Sequence, residues 1–149
     1  MKSNNKDGFT IIEVVLVLAV AGLIFLAVFI AVPSLRRNQR DTARKQDVSN
    51  VASGITTFMS NNKGAFPNGT QLRTVASDVS ENTDVTKITI ANSNSTKLSP
   101  ADSAIIVMQG KKCGTNDGTG VAPVTGTKRQ FILVTKLESA NGSYFCQDS

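Results

Sequence analysis

The chain reads as an α+β protein: a long N-terminal α-helix, apolar in its first half and amphipathic in its second, packed on a small C-terminal antiparallel β-sheet. Three observations predict this. A run from Phe9 to Val32 carries a single charge, Glu13. Past Pro33, apolar residues recur at three-and-four spacing as far as a stop at Asn61-Asn62-Lys63-Gly64. Beyond it, short apolar runs alternate with Ser/Thr/Asn/Gly-rich stretches, with no helical period of convincing length between them.

The first element is the apolar run. As a helix, Phe9–Val32 extends about 36 Å at ~1.5 Å per residue, enough to cross a hydrocarbon core of about 30 Å. A carboxylate at the centre of such a span costs about 2.5–3.5 kcal/mol. Glu13 stands near one end, where its side chain can reach the interface, so its cost is lower. Gly22 falls mid-run, where a helix loses about 1 kcal/mol relative to Ala. Pro33 removes a helical hydrogen bond and tends to kink the chain. A polar leader with Lys2 and Lys6 flanks the run on one side; Arg36, Arg37, Arg40, Arg44 and Lys45 flank it on the other. The positive-inside rule taken alone would put the arginine side in the cytoplasm.

The second element continues the helix in polar form. Val48, Val51, Ala52, Ile55, Phe58 and Met59 make an apolar stripe, and Pro67 marks the helix as ended. The expected organisation is a leader over 1–8, one long helix over 9–62 and a head over 63–149. The head is small for an independent core, so the stripe must complete it. Its expected strands are Asp84–Ala91, Ala104–Gln109, Arg129–Leu137 and Tyr144-Phe145-Cys146, the last two joined by a hairpin at Asn141-Gly142. A short helix near Thr70–Ser77 is an option. The loops at Asn92–Ser103 and Gly114–Thr127 are too polar to assign.

The string Gly8-Phe9-Thr10-Ile11-Ile12-Glu13, after a short leader with lysines, resembles the prepilin (class III) signal of type IV pilins and the related pseudopilins. No small-residue exit site follows Val32, so an ordinary secretory cleavage that discards the apolar core finds no place there. The resemblance implies that a membrane peptidase cuts between Gly8 and Phe9 and N-methylates Phe9. It implies that the apolar helix is kept, first as a membrane anchor and then as a filament core. A charged amine on Phe9 buried in an apolar bundle needs an opposite charge. Glu13 of a neighbouring subunit supplies one, and the pair would set register.

The family's helix melts between a glycine and a proline on entering the filament, which implies that role for Gly22 and Pro33. The bland alternative is a common transmembrane glycine and a kink at the membrane exit. The family orientation puts the leader inside, against the arginine count, so the arginines call for another explanation, such as charge contacts along a filament shaft. A bridge between Cys113 and Cys146 would close a loop worth roughly 3–4 kcal/mol and imply an extracytoplasmic setting. Two free thiols are the alternative.

Other classes of function find little support. The chain has no His, which excludes Ser–His and Cys–His dyads, and two cysteines alone do not make a zinc site. There is no glycine-rich phosphate loop with a lysine. Asp78, Glu81, Asp84, Asp102, Asp117, Glu138 and Asp148 are scattered, with no calcium-loop spacing. Neither metal nor cofactor is expected. Lys111-Lys112 and Lys128-Arg129 make a possible basic patch that would suit nucleic-acid phosphates; a solvated surface is the plainer reading. Acceptor patterns for glycosylation at Asn68, Asn94 and Asn141 are common by chance in such a chain.

The resemblance therefore implies a non-enzymatic pilin subunit, held in the cytoplasmic membrane with its head outside and then polymerised into an extracellular pilus for adhesion, motility or DNA uptake. Its partners would be its own copies, the prepilin peptidase, the assembly platform and its ATPase machinery. A minor pilin or a secretion or competence pseudopilin is the alternative within the family. A single-span anchored surface binding module is the alternative outside it.

Overall fold

A computed structural model describes residues 8–79, 85–138 and 143–149. The leader up to Asp7, the Asn141-Gly142 hairpin signal, and Glu81 and Asp84 lie outside the described residues. The chain divides into two compact units, Met1–Arg36 and Arg37–Ser149.

In the first unit, helix α1 (Ile11–Asn61) starts after Thr10, and nearly every side chain from Phe9 to Leu35 is exposed. Val, Leu, Ile and Phe occupy all sides, as expected of a helix made to be surrounded by apolar material. α1 is long and apolar enough here to cross a membrane. Pro33 lies inside the helix, which is assigned through it.

In the second unit, Val48, Val51, Ala52, Ile55 and Met59 of α1 are buried, while Phe58 at the stripe's edge is half-buried. α1 ends where Lys63 and Gly64 take positive φ, 55° and 83°. The Gly64 N–H donates to Met59 O at 2.7 Å, the closing bond of a left-handed helix terminus. Helix α2 (Gly69–Val79) follows, two residues longer at its C-terminal end than the expected one. A reciprocal cap starts it: Gln71 N–H donates to Asn68 Oδ1 at 2.9 Å, and Asn68 N–H to Gln71 Oε1 at 3.0 Å. Gly54 lets α2 approach α1, since a Cβ there would stand 2.7 Å from Val75 Cγ1.

The sheet contains β1 (Ile88–Ile90), β2 (Ile105–Gln109), β5 (Phe131–Lys136) and β6 (Tyr144–Asp148), in the order β1-β2-β5-β6. A separate ribbon pairs β3 (Lys111–Lys112) with β4 (Val124–Thr125). β2–β5 and β5–β6 are antiparallel, but β1 pairs parallel with β2, Ile88 opposite Ile105. The sheet is thus antiparallel-rich rather than wholly antiparallel. The connection between β1 and β2 is about as long as a parallel crossover requires, roughly a dozen residues. The expected strand at 84–91 shortens to β1, because Val85–Lys87 coils into a 3₁₀ turn.

Both faces of the sheet are covered. Ile88, Ile105, Val107, Phe131 and Leu133 pack with the α1 stripe and with Leu72 and Ala76 of α2. Met108, Ile132 and Val134 pack on the other face with Leu98 and Val121, which anchor the two polar loops. Leu98 and Val121 exchange backbone hydrogen bonds, each at 2.8 Å. This double burial explains why β5 reads as a continuous apolar run instead of alternating.

Candidate assembly site

The α1 N-terminus places the first two candidates. Thr10 precedes the first helical residue, and its carbonyl accepts from Glu13 N–H at 3.1 Å. Its hydroxyl reaches Glu13 Oε2 at 3.5 Å, the spacing of an N-terminal capping pair. The Thr-x-x-Glu pattern is a local signal that sequence reading passed over. Glu13 therefore sits in the first turn, where the helix dipole favours a carboxylate. Phe9 is 87% exposed and stands one turn before it. Phe9, Glu13, Val14, Val17 and Leu18 line a shallow depression of about 340 Å³. Gly22 has no neighbour within 4 Å of where a side chain would begin. Among the described residues of its unit, the apolar side chains of this surface are exposed.

Part of the arginine cluster has partners within the head. Arg40 and Arg44, four residues apart on one helical face, converge on Glu138. Arg40 Nε donates to Glu138 Oε2 at 2.8 Å, and its Nη2 lies 2.7 Å from the same oxygen. Arg44 Nη2 lies 2.5 Å from Oε1 and donates to Ser103 Oγ at 3.2 Å, while its Nη1 donates to Lys136 O at 2.9 Å. Glu138 N–H donates to Oδ1 of the buried Asp41 at 2.7 Å. Lys45 stands 5.6 Å from the Phe145 ring centroid, a cation–π distance. These contacts form a polar clasp between α1 and the end of β5, leaving Arg36 and Arg37 exposed.

The clasp explains one titration shift. The hydrogen bond from Arg40, helped by the charge of Arg44, holds the Glu138 carboxyl below the usual glutamate range. The same pair raises Arg40. On the loop layer, Lys97 Nζ lies 2.6 Å from Asp117 Oδ2. Asp117 also accepts from Thr119 N–H at 3.0 Å and from its hydroxyl at 2.9 Å. Lys97 first, then Thr119, hold Asp117 well below the ordinary aspartate range. Sequence reading found neither cluster, because Lys97 and Asp117 are 20 residues apart and Arg40 and Glu138 are 98 apart.

Cys113 and Cys146 form a disulfide with their Cα atoms 6.0 Å apart. It ties β6 to the segment after β3, so the bridged alternative holds and the free-thiol one does not. Asn116 Nδ2 adds a bond to Tyr144 O at 2.6 Å. The basic dipeptides come to one end of the sheet: Gly110 N–H donates to Gln130 O at 2.7 Å, and Gln109 Nε2 to Lys128 O at 2.8 Å. Arg129, however, turns toward Gly64 at the end of α1. Asn68 carries the α2 cap. Among the described residues no group of three or more His, Cys, Asp or Glu side chains is placed to hold a metal ion.

Comparison with known proteins supplies one match. Residues 3–29 match the family described as the prokaryotic N-terminal methylation motif. The match covers the end of the leader and the first part of α1, and the head lies outside it. No curated protein and no solved structure matches the chain. Over residues 3–29 the chain carries the prokaryotic N-terminal methylation motif, ahead of a long helix and an α+β head.

Proposed function

We propose that this chain is a structural pilin, cut between Gly8 and Phe9, N-methylated at Phe9 and polymerised with its own copies into an extracellular type IV pilus. The observation that carries the reading is the helix surface from Phe9 to Leu35, exposed almost throughout yet apolar, with one carboxylate in its first turn. Such a surface cannot stay in water. A bilayer covers it before assembly, and the helices of other copies cover it afterwards.

Glu13 fits both stages. Near the end of the span it reaches the interface; in a bundle it meets the Phe9 amine that cleavage creates. A subunit in the wrong register leaves two buried charges unpaired, which is strongly unfavourable. The pair therefore selects register more than it adds stability. The prepilin peptidase, the assembly platform and its ATPase machinery would act on the chain; the pilus would serve adhesion, motility or DNA uptake.

The test is Glu13→Ala. It should abolish sheared surface filaments while the subunit still fractionates with the cytoplasmic membrane. Normal filaments from this variant would overturn the pairing. Sheared wild-type filaments in which this chain is only a trace component would make it a minor pilin or pseudopilin. Membrane-held heads with no filament at all would make it an anchored binding module.

A further inference from the structure

We propose that the depression at the C-terminal end of α1 is a binding site for a sugar acid, a ligand carrying both a carboxylate and free hydroxyls. The proposal does not depend on polymerisation. The depression encloses about 460 Å³ and is lined by Thr56, Met59, Ser60, Lys63, Arg129 and Ser149, with Gly64 and Phe131 completing it. That volume lies within the usual range for small-molecule sites, ~300–1,000 Å³.

Among the described residues, two cations and no acidic side chain line this space. Lys63 and Arg129 are exposed, and no ion pair or hydrogen bond from the described residues occupies either side chain. A plainer reading would have them cap the negative end of α1. The chain meets part of that hydrogen-bonding demand itself: Asn62 N–H and Nδ2 bond Phe58 O at 3.0 and 2.8 Å, and Gly64 N–H bonds Met59 O at 2.7 Å. Neither Lys63 nor Arg129 donates a side-chain hydrogen bond to this helix end among the described residues. The Arg129 guanidinium lies near Gly64, its Nε 3.6 Å from where a Cβ would be, an ordinary contact distance.

The hydroxyls decide between classes of anion. Thr56 Oγ1 donates to Ala52 O at 2.9 Å and Ser60 Oγ to Thr56 O at 3.0 Å, so each offers the pocket a lone pair. Ser149 Oγ accepts from Phe131 N–H at 3.1 Å, so its own proton is free to donate. The site therefore presents acceptors beside cationic donors, over an apolar floor of Met59 and Phe131. A phosphodiester backbone supplies acceptors only and leaves Thr56 and Ser60 unanswered. A uronic acid supplies a carboxylate for the fork of Arg129, hydroxyl donors for Thr56 and Ser60, and an apolar ring face for the floor.

The test titrates oligogalacturonate into the full chain in non-ionic micelles, followed by calorimetry, with its methyl ester, inorganic phosphate and a short DNA duplex as comparisons. Saturable binding of the free acid is expected, with the ester about tenfold weaker or worse. Arg129→Gln and Lys63→Gln should each weaken the acid about tenfold, whereas Lys112→Gln, outside the depression, should change nothing. Each variant should keep the wild-type melting temperature, which separates loss of a ligand contact from loss of fold. Failure of the acid to saturate, equal binding of the ester or of phosphate, or DNA binding as tight and as sensitive to Lys112→Gln would overturn the proposal.

Discussion

Removing the Cys113–Cys146 bridge should lower the melting temperature of the head by about 15 °C. The two residues are separated by 33 positions. For a loop of that length the chain-entropy relation gives a loss of about 12–13 cal/mol/K, or about 3.7 kcal/mol at 25 °C. The compact unit holding the bridge is Arg37–Ser149. At ~2.1 cal/mol/K per residue its unfolding entropy is about 240 cal/mol/K, so 3.7 kcal/mol corresponds to about 15 °C. The assay is near-ultraviolet circular dichroism of the full chain in micelles, oxidised against Cys113→Ser/Cys146→Ser, with non-reducing mobility to verify the oxidised form. The tertiary signal should disappear in one cooperative step in both proteins. A shift under about 4 °C, equivalent to about 1 kcal/mol, would refute the reasoning. It would mean that the unfolded head is already constrained, or that the bridge strains the folded one.

Three further outcomes follow from the head. Glu138 has a folded pKa below its unfolded one, so its contribution is present above the ordinary glutamate range and is lost as pH falls below that range and through the folded pKa. Glu138→Gln should therefore flatten the acid limb of stability against pH while leaving the slope near neutrality unchanged; an unaltered acid limb would contradict the clasp. Ile55→Ala, at a site 0% exposed between α1 and the sheet, should cost about 2–5 kcal/mol in denaturant titration. Asn68→Ala should cost about 1 kcal/mol by removing the α2 cap, whereas Asn94→Ala, an exposed loop residue, should cost much less.

The parts legible in the sequence are those that local physics dictates. The α1 stripe declared itself through spacing, because burial on one helical face forces a period near 3.6. β2 and β5 declared themselves as apolar runs, and α2 was visible as a short helix near Thr70–Ser77. The stop at Asn61–Gly64 was readable because only a left-handed terminus uses glycine in that way. The parallel pairing of β1 was not legible, since direction depends on how residues between β1 and β2 travel, and that stretch is polar. β3 and β4 are two residues each, too short to leave a period.

At the candidate site the same division holds. Gly8, Phe9 and Glu13 could be read because they form one contiguous string. The clasp could not: Arg40 and Arg44 show their helical spacing, but Glu138 meets them only after the sheet has carried it back to α1. In the structure, Arg40, Arg44 and Lys45 are engaged by their own head, although Arg40 and Lys45, like Arg36 and Arg37, stay exposed.

The central claim is that the apolar helix is retained and its new N-terminus is made by cutting at Gly8. Mass spectrometry of the mature chain's N-terminal peptide, isolated from cell membranes or sheared filaments, tests this most directly. The account predicts a peptide beginning at Phe9 with one methyl group on its amine. An intact Met1, or a first residue beyond Val32, would contradict it.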